Sequence, residues 1–433
     1  MKINVWGINY APEVTGIAPY NAALCEHLER HGHHVRMVTS FAYYPSWKKA
    51  REDSGKVFRT DKVQRVPVHR CWHYVPRQTS AVKRIIHEAS FVTTSFLRQL
   101  MLPTPDAYVV ISPPLLLGAA AWLLGKIKRR PFVFHVQDLQ PDAAAGLGML
   151  KQGGFMRALY RLEAFAYRTA ARVSGITPGM LDAFRRKGVS SSKLLLFPNG
   201  VVLPDASSRP GPGAFRQRHG LGKDEFLVLY SGNLGVKQGL DILIEASRHL
   251  SPEIRIVVCG QGAQREHLAG LIRRYELSNV VMLPLQSDAH YREMLVDADL
   301  CVITQQSGSG GFFFPSKLLT ALAWEKPVIT VADEESELVR ALHAGEFGVN
   351  VEPGHPEKLA RALEHLRANR AQLERFASAG RNYVARFEME RVLGDFVSEL
   401  EELTTPTPQP ASERRIRPRA IGKRPAPLSS LDQ

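Results

Sequence analysis

Short apolar runs rich in β-branched residues alternate along the chain with longer segments in which apolar residues recur every three or four positions. The short runs indicate buried strands, and the longer segments indicate amphipathic helices. In the first half we predict strands over residues 3–8, 35–39, 66–72, 107–111, 132–136, 173–177 and 194–197. Helices are predicted between them, notably over residues 18–30 and 156–171. This alternation is typical of parallel sheets built from βαβ units.

The same alternation starts again after residue 225. We predict strands over residues 226–231, 254–259, 280–283, 300–304, 327–331 and 348–351, and helices over 239–250, 264–275, 288–296, 316–324, 356–366 and about 370–403. The segment 198–225 is rich in Pro and Gly and is predicted to be a linker. We therefore predict one α/β domain over residues 1–200, a second over 201–403, and a disordered, basic, Pro-rich tail over 404–433. Tandem domains of this kind bind ligands in the cleft between the carboxyl edges of their sheets.

The composition of the 433 residues is globular, with 44% hydrophobic and 23% charged residues, which excludes a disordered chain or a fibre. The formal net charge is +14, and residues 1–200 carry 28 basic against 12 acidic side chains. Such an excess favours an anionic partner: nucleic acid, an anionic membrane or a phosphorylated substrate. The four cysteines are far apart and are expected to be reduced and buried. We predict neither an export signal nor a membrane-spanning segment.

Two candidate groups of residues follow strands of the first half. The loop over residues 9–17 contains Gly16, and its helix start can present N–H groups to an anion. The strand over 132–136 leads into His135 and Asp138. A histidine and a carboxylate at this edge can serve as acid and base or bind a substrate hydroxyl, whereas a buried histidine and a helix cap are the structural alternative.

Loops of the second half predict an anion site. The first runs from Gly232 and Asn233 to Lys237, and the glycines Gly260 and Gly262 follow the next strand. Neither loop has the order of a P-loop. Farther on, Ser316 and Lys317 lie at a helix start, where a diphosphate is expected to bind. Asp297-Ala298-Asp299 spells a metal-binding DxD, but it precedes a buried strand, and we predict a structural role and no metal site.

A basic, amphipathic segment over residues 80–102 favours contact with a membrane surface. It combines two basic residues with a set of apolar ones: Lys83 and Arg84 with Ile85, Ile86, Phe91, Val92, Phe96, Leu97 and Leu100. A second basic cluster consists of Lys126, Lys128, Arg129 and Arg130. An ordinary core helix with a solvated face is the alternative interpretation. No nucleic-acid-binding module is recognised, and we predict no nucleic-acid partner.

Taken together, these motifs resemble the GT-B glycosyltransferases of family 4, in the colanic-acid and exopolysaccharide branch. The resemblance is carried by HVQDLQPDAA, FPNGVV, YSGNLGVKQGLDILIEA, VVCGQGAQREHL and FPSKLLTALAWEKPVIT, which recur in family order from about residue 3 to 400. It implies two Rossmann-like domains facing a cleft, with a C-terminal helix that returns to the first domain.

The resemblance also implies roles for individual residues. Gly232, Lys237, Ser316 and Lys317 would face the donor diphosphate, and Gly16 would lie against the reacting centre. His135 and Asp138 would lie beside the sugar and the acceptor. The residues that would line the donor pocket are Asn199, Asn233, Gly260, Gly262, Leu285 and Thr320.

Two departures from the family pattern bear on the donor site. Asn233 stands where family 4 commonly has Arg, and the usual pair of glutamates falls at Phe312 and Thr320. Lys237 is a candidate to replace the absent Arg.

The resemblance thus implies a retaining, metal-independent transfer of a sugar from a UDP- or GDP-linked donor, without a cofactor. The acceptor would be a polyprenyl-diphosphate-linked glycan at the cytoplasmic face of the membrane. The alternatives are a non-catalytic, membrane-associated scaffold and an epimerase or phosphorylase-like enzyme acting on a soluble substrate.

Overall fold

Two parallel sheets form the framework of the protein. The computed structural model describes residues 1–78, 80–146, 153–308 and 316–405. The first sheet consists of β1 (Lys2–Trp6), β2 (His34–Ser40), β3 (Phe58–Val63), β4 (Val66–Cys71), β5 (Ala107–Ser112), β6 (Phe132–Val136), β7 (Arg172–Gly175) and β8 (Leu194–Leu196). Its order is β3-β4-β2-β1-β5-β6-β7-β8, and every pair is parallel except β3 with β4.

Helices of the first half follow the strands and cover the sheet. They are α1 (Ala18–Arg30), α2 (Ala81–Met101), α3 (Leu117–Lys128), α4 (Gln140–Gly146), α5 (Gly154–Thr169) and α6 (Pro178–Arg186). The buried side of α1 is formed by Ala18, Asn21, Leu24, Cys25, His27 and Leu28, the three-to-four spacing that the sequence shows.

The second sheet has six parallel strands in the order β11-β10-β9-β12-β13-β14. They are β9 (Phe226–Ser231), β10 (Ile254–Cys259), β11 (Val280–Leu283), β12 (Leu300–Thr304), β13 (Val328–Val331) and β14 (Gly348–Val351). The helices are α7 (Ala214–Arg218), α8 (Asp241–Ala246), α9 (Arg265–Arg274), α10 (Asp288–Asp297), α11 (Lys317–Ala323), α12 (Glu337–Gly345), α13 (Pro356–Ala368), α14 (Arg370–Val384) and α15 (Met389–Thr404). The predicted α/β class with two doubly wound sheets is confirmed, whereas the predicted domain boundaries stay a prediction.

The last helix, α15, returns to the first sheet. Its buried residues Val392, Leu393, Phe396, Val397 and Leu400 join the core around β1, β5 and α1. Glu390 accepts hydrogen bonds from Arg30 at 2.7 Å and from His27 Nδ1 at 2.9 Å. The return of the C-terminal helix, implied by the family resemblance, is therefore observed.

The sequence analysis missed the edge strand β3. Its sequence FRTDKV carries three charged side chains, and its burial alternates because only one side faces the protein. Charged residues are common on edge strands, where they discourage pairing with other chains.

Further expectations from the sequence concern the cysteines, membrane-spanning segments and the tail. All four cysteines are free and buried, as predicted. Among the described residues, no helix is both long and apolar enough to cross a bilayer. Phe312 and residues 406–433 of the tail lie outside the described residues.

Candidate active site

Besides the contacts of α15, contacts at the starts of helices join the first half of the chain to the half that contains the second sheet. Tyr20, on the first turn of α1, lies close to Ser316, just before α11, and this contact opposes the rise that burial gives the pKa of Tyr20. The Glu337 carboxylate at the start of α12 accepts a hydrogen bond from the backbone N–H of Gly179 in α6, at 3.2 Å. Asp138 and Lys237 interact through their charges. Because these helices start at the carboxyl ends of parallel strands, the two carboxyl edges face each other across a cleft.

The loop between β1 and α1 is held in place by a buried carboxylate. Glu13 accepts hydrogen bonds from the backbone N–H groups of Tyr43 and Tyr44, at 2.9 and 2.8 Å, and from Asn9 Nδ2 at 2.8 Å. Burial raises the pKa of Glu13, and these hydrogen bonds oppose the shift. The loop therefore presents a fixed backbone to the cleft.

Gly16, in the same loop, is exposed, with φ of +67°, a conformation that favours glycine. A Cβ placed there would lie 3.6 Å from the ring of Tyr44. Gly16 thus lines the cleft beside Tyr44, and its predicted place at the reacting centre stays a prediction.

Two lysines of the second half lie close together in the cleft. Lys317 Nζ lies 3.8 Å from the centre of the Tyr230 ring, and it would be 3.6 Å from a Cβ on Gly232. Burial, followed by the positive charge of Lys237, lowers the pKa of Lys317 to about 7. An anion in this position would relieve both effects, because it would neutralise the repulsion and favour the charged form.

Lys237 lies between opposing charges. Burial lowers its pKa, Asp138 opposes this shift, and Arg84 reinforces it. Burial likewise raises the pKa of Asp138, against the charges of Lys237 and Arg84. Two cations, Lys237 and Arg84, thus share the neighbourhood of one carboxylate that burial pushes towards its neutral form.

The glycines of the donor loops pack against each other. A Cβ on Gly260 would lie 1.8 Å from the carbonyl oxygen of Gly232, and one on Gly262 would lie 2.3 Å from that of Leu234. These two glycines therefore let two backbones approach each other. This packing supports the loops, and the predicted contact of Gly260 and Gly262 with the ligand stays a prediction.

The remaining predicted donor residues are placed at the surface or partly buried. Asn233 and Ser316 are exposed, Leu285 follows β11 and is 46% exposed, and Thr320 is partly buried on α11. Their contact with a donor stays a prediction.

His135 is corrected from a catalytic candidate to a buried structural residue. It is 1% exposed, its Nδ1 lies 2.8 Å from the Ser174 hydroxyl, and its Nε2 lies 2.8 Å from Gln137 Nε2. Because the Gln137 amide donates, Nε2 accepts, and the ring is neutral with its proton on Nδ1. Burial lowers the pKa of His135 to about 3, so it does not exchange protons near neutral pH.

Asn199 belongs to the same buried network. Its Oδ1 accepts a hydrogen bond from Gln137 Nε2 at 3.0 Å, and the residue is 9% exposed. The cavity beside His135 and Asn199 measures about 10 Å³, room for one water molecule. Asn199 thus borders the interior, and its predicted place in the donor pocket stays a prediction.

The DxD sequence has the predicted structural role. Asp297 accepts hydrogen bonds from the N–H groups of Gly213 and Arg216, at 2.5 and 3.0 Å, and Asp299 accepts one from Leu227 N at 2.8 Å. Among the described residues, no three His, Cys, Asp or Glu side chains are grouped as they would be around a metal ion.

The predicted membrane residues divide into three groups. Lys83, Arg84, Lys126, Arg129 and Arg130 are exposed. Lys128 donates hydrogen bonds to the carbonyl oxygens of Leu100 and Leu102 at the end of α2, at 2.8 and 3.4 Å. Phe91 is 0% exposed, so its ring is not available to a bilayer, which corrects the prediction for Phe91. Phe96 is partly buried against the same core, and its membrane role stays a prediction.

Exposed aliphatic residues occupy the outward sides of α2 and α3 instead. The outer apolar surface, as we define it, consists of Val82, Ile85, Ile86, Leu97 and Met101 on α2, and Leu123 and Ile127 on α3. The two helices pack against each other. Ile85, Ile86 and Leu97 belonged to the predicted membrane segment together with Phe91, because a helical pattern alone does not say which apolar side faces the sheet.

The fold and the cleft define a GT-B glycosyltransferase, and comparisons with known proteins agree. Residues 15–200 match the glycosyl transferase 4-like domain, and residues 213–383 match the glycosyl transferases group 1 domain. Sucrose-phosphate synthase from Thermosynechococcus elongatus has the same fold, with a TM-score of 0.73 and 20% identity over 93% of this chain and 98% of that one. HepE from Anabaena, crystallised with UDP-glucose, superimposes with a TM-score of 0.69 and 16% identity, over 93% and 100% of the two chains.

A curated relative supports a closer assignment. The putative colanic acid biosynthesis glycosyl transferase WcaI of Escherichia coli K12 is 31% identical over 410 residues, which cover 92% of this chain and 100% of WcaI. The chain therefore belongs to the family 4 glycosyltransferases, in the colanic-acid and exopolysaccharide branch.

Proposed function

We propose that the protein transfers a sugar from a UDP- or GDP-linked donor to a polyprenyl-diphosphate-linked glycan in exopolysaccharide biosynthesis. The transfer retains the anomeric configuration and uses neither a metal ion nor a cofactor. The observation that carries the proposal is the placement of Lys237 and Lys317 in the cleft, opposite Asp138.

The two lysines suit a departing nucleoside diphosphate. Negative charge builds on the diphosphate as the bond to the sugar breaks, and fixed cations in a water-poor cleft stabilise that charge. Lys317 is held against Tyr230 and Gly232, so it is positioned before the donor binds. A donor of this class is supported by the UDP-glucose complex of HepE, which shares the fold.

Asp138 lies on the opposite wall of the cleft, in the half that would receive the acceptor. As a carboxylate it can orient the sugar or accept a proton from the acceptor hydroxyl, and the neighbouring cations favour its ionised form.

The outer apolar surface supports a membrane-bound acceptor. α2 has 21 residues and is therefore about 30 Å long. Basic side chains lie at both ends of the surface: Lys83 at the start of α2, and Lys126, Arg129 and Arg130 at the end of α3. Aliphatic side chains flanked by cations suit the headgroup layer of an anionic bilayer, and such cations contribute about 1 kcal/mol each near the surface. We therefore place the protein on the cytoplasmic face of the membrane.

A panel experiment tests the proposal. Thermal-shift measurements with UDP, GDP, ADP and TDP identify the base, because a ligand that binds the native state raises the melting temperature. Transfer from the matching nucleotide-sugars is then measured with lipid extracts, with and without EDTA, and NMR of the product gives the anomeric configuration. Stabilisation by one base and transfer with retention are expected. Binding to anionic vesicles without turnover of any donor would support the scaffold alternative and refute the proposal.

A further inference from the structure

Arg84 is exposed in the first turn of α2, in line with the buried side of the helix, at the end where α2 meets the cleft. Helix geometry places residues 84, 88, 91 and 95 within one narrow stripe, because residues three or four positions apart share a side. Phe91 and Ser95 in this stripe are fully buried against the sheet. Arg84 continues the stripe into the first turn of α2, at the carboxyl edge of the sheet, where the core ends and the cleft begins.

A contact of Glu88 fixes the direction of this stripe. Gln140 Nε2 donates a hydrogen bond to Glu88 Oε1 at 3.4 Å, and Gln140 follows Asp138 by two residues. The next turn of the same stripe, which carries Arg84, therefore lies beside the loop of Asp138. The charges agree, since Arg84 acts on Asp138, Lys237 and Glu88.

The local structure compensates the charge of Arg84 only weakly. The first turn of α2 contains no acidic side chain, and a cation there opposes the helix dipole. Within the described residues, no hydrogen bond or ion pair engages the exposed guanidinium. Lys237 repels it, and burial pushes the nearby carboxyls Asp138 and Glu88 towards their neutral forms, against the charge of Arg84. Cations retained against a local cost are typical of sites that bind anions.

We propose that Arg84 binds the phosphate nearest the lipid in the acceptor, on the wall of the cleft opposite the donor lysines, and so determines acceptor specificity. The inference rests on the proposed function. The acceptor is favoured over the donor because Lys317, Gly232 and Tyr230 belong to the second half, whereas Arg84 belongs to the helix that carries most of the outer apolar surface. A phosphate attached to a lipid in the headgroup layer would meet Arg84 where that surface reaches the cleft. The planar guanidinium suits bidentate binding of two phosphate oxygens.

The experiment uses farnesyl diphosphate as a soluble polyprenyl diphosphate. Its affinity is measured by calorimetry with the donor site saturated by the nucleoside diphosphate that stabilises the protein. Arg84→Gln is expected to lower the affinity for farnesyl diphosphate at least tenfold, while the affinity for the nucleotide changes less than twofold. Arg84→Lys is expected to recover part of the loss. In transfer assays Arg84→Gln is expected to raise the KM for the acceptor, with kcat largely kept.

Two further variants serve as controls. Arg65→Gln removes an exposed arginine from the turn between β3 and β4, at the opposite edge of the same sheet, and is expected to change nothing. Glu88→Gln tests whether Arg84 serves only to neutralise Glu88. In that case Glu88→Gln would lower the affinity for farnesyl diphosphate as Arg84→Gln does. We expect an equal or higher affinity instead, because a negative charge is lost. Melting temperatures of all variants show that they are folded.

Each outcome separates the inference from the proposed function. Unchanged binding of farnesyl diphosphate by Arg84→Gln, or an equal loss of nucleotide affinity, would overturn the role of Arg84. So would a wild-type protein that binds the nucleotide but not farnesyl diphosphate, and the donor assignment would survive. Competition by inorganic pyrophosphate at the same strength as farnesyl diphosphate would assign the site to free phosphate and overturn a lipid-linked ligand. Absence of nucleotide binding would refute the proposed function itself.

Discussion

Phe396, in the last helix, stacks face to face on Phe197, which follows the last strand of the first sheet. Their ring centres are 3.9 Å apart and their planes differ by 4°. Both rings also lie near the imidazole of His135. The last helix, α15, is thus part of the core beneath the first half of the cleft.

Phe396→Ala is expected to reduce the free energy of unfolding by about 3–5 kcal/mol, because it leaves a cavity against Phe197 in a fully packed core. Urea unfolding followed by circular dichroism measures the change. Ser398→Ala, at an exposed position of the same helix, should change stability by less than about 0.5 kcal/mol. A loss below about 1 kcal/mol for Phe396→Ala would mean that α15 contributes little to the first half.

Elements buried on both sides were the easiest to predict from sequence. β6, β9 and β10 have the predicted bounds, because short apolar runs rich in β-branched residues are typical of strands that are buried on both sides of a parallel sheet. β3 was missed since one side of an edge strand is polar and its alternation is weak. The packing of Phe396 on Phe197 joins residues 199 positions apart, and no local pattern encodes such a contact.

Gly260→Ala is expected to disrupt the donor loops, because its Cβ would overlap the carbonyl oxygen of Gly232. We expect a loss of stability of about 2 kcal/mol or more and at least a tenfold loss of nucleotide affinity. Both are measured by unfolding and calorimetry. Gly270→Ala is the matched control, since Gly270 lies in α9 with open space around it, and alanine there should stabilise by about 0.5–1 kcal/mol. Wild-type nucleotide affinity in Gly260→Ala would show that the two loops can separate without loss.

The candidate site was partly predictable. Asp138, Lys237 and Lys317 follow strands or begin helices, and the carboxyl-edge rule brings such residues together. His135 obeys the same rule but points into the core, because the side chains of a strand alternate and a strand's last residues can face either way. Arg84 was assigned to the membrane or the acceptor without distinction, since the sequence shows a basic residue on an amphipathic helix but not which side faces the cleft.

His135→Gln is expected to make stability less sensitive to acid. The folded protein holds His135 neutral, with a pKa of about 3, whereas the unfolded chain protonates it near its ordinary value of about 6.5. Between these values the unfolded state binds more protons, so the free energy of unfolding falls as the pH is lowered from 6.5 towards 3. Urea unfolding at pH 7.5, 6.0 and 5.0 measures the slope.

The slope assigned to His135 approaches about 1.4 kcal/mol per pH unit, and His135→Gln should remove it. His343→Gln, at an exposed position, serves as the control and should keep the wild-type slope. An unchanged slope in His135→Gln would show that the native protein protonates the ring.

Lys317→Met is expected to lower the affinity for the nucleoside diphosphate by a factor of about 10–150, because one charge-assisted contact of about 1.5–3 kcal/mol is lost. The free lysine has a pKa of about 7, and a bound diphosphate favours its charged form. Binding at pH 8 should therefore take up a proton, and affinity should fall as the pH rises above 7.

Calorimetry at pH 8 in two buffers of different ionisation enthalpy measures this proton uptake, which should be absent in Lys317→Met. Lys358→Met, at an exposed position of α13, should retain both affinity and uptake. Equal uptake in the wild type and Lys317→Met would assign the proton to another group.

Asp138→Asn is expected to separate binding from transfer. The substitution removes a negative charge beside Lys237, so the nucleoside diphosphate should bind as tightly as before or more tightly. Transfer should fall by about 10²–10⁴-fold, the range for loss of a positioned acid or base. Because burial raises the pKa of Asp138, wild-type kcat should decline as the pH falls through that raised value, and Asp138→Asn should lack this limb. Asp142→Asn is the control, since its carboxylate pairs with Lys187 instead of the cleft lysines, and it should keep kcat within about twofold. Transfer by Asp138→Asn within threefold of wild type would exclude Asp138 from the chemistry.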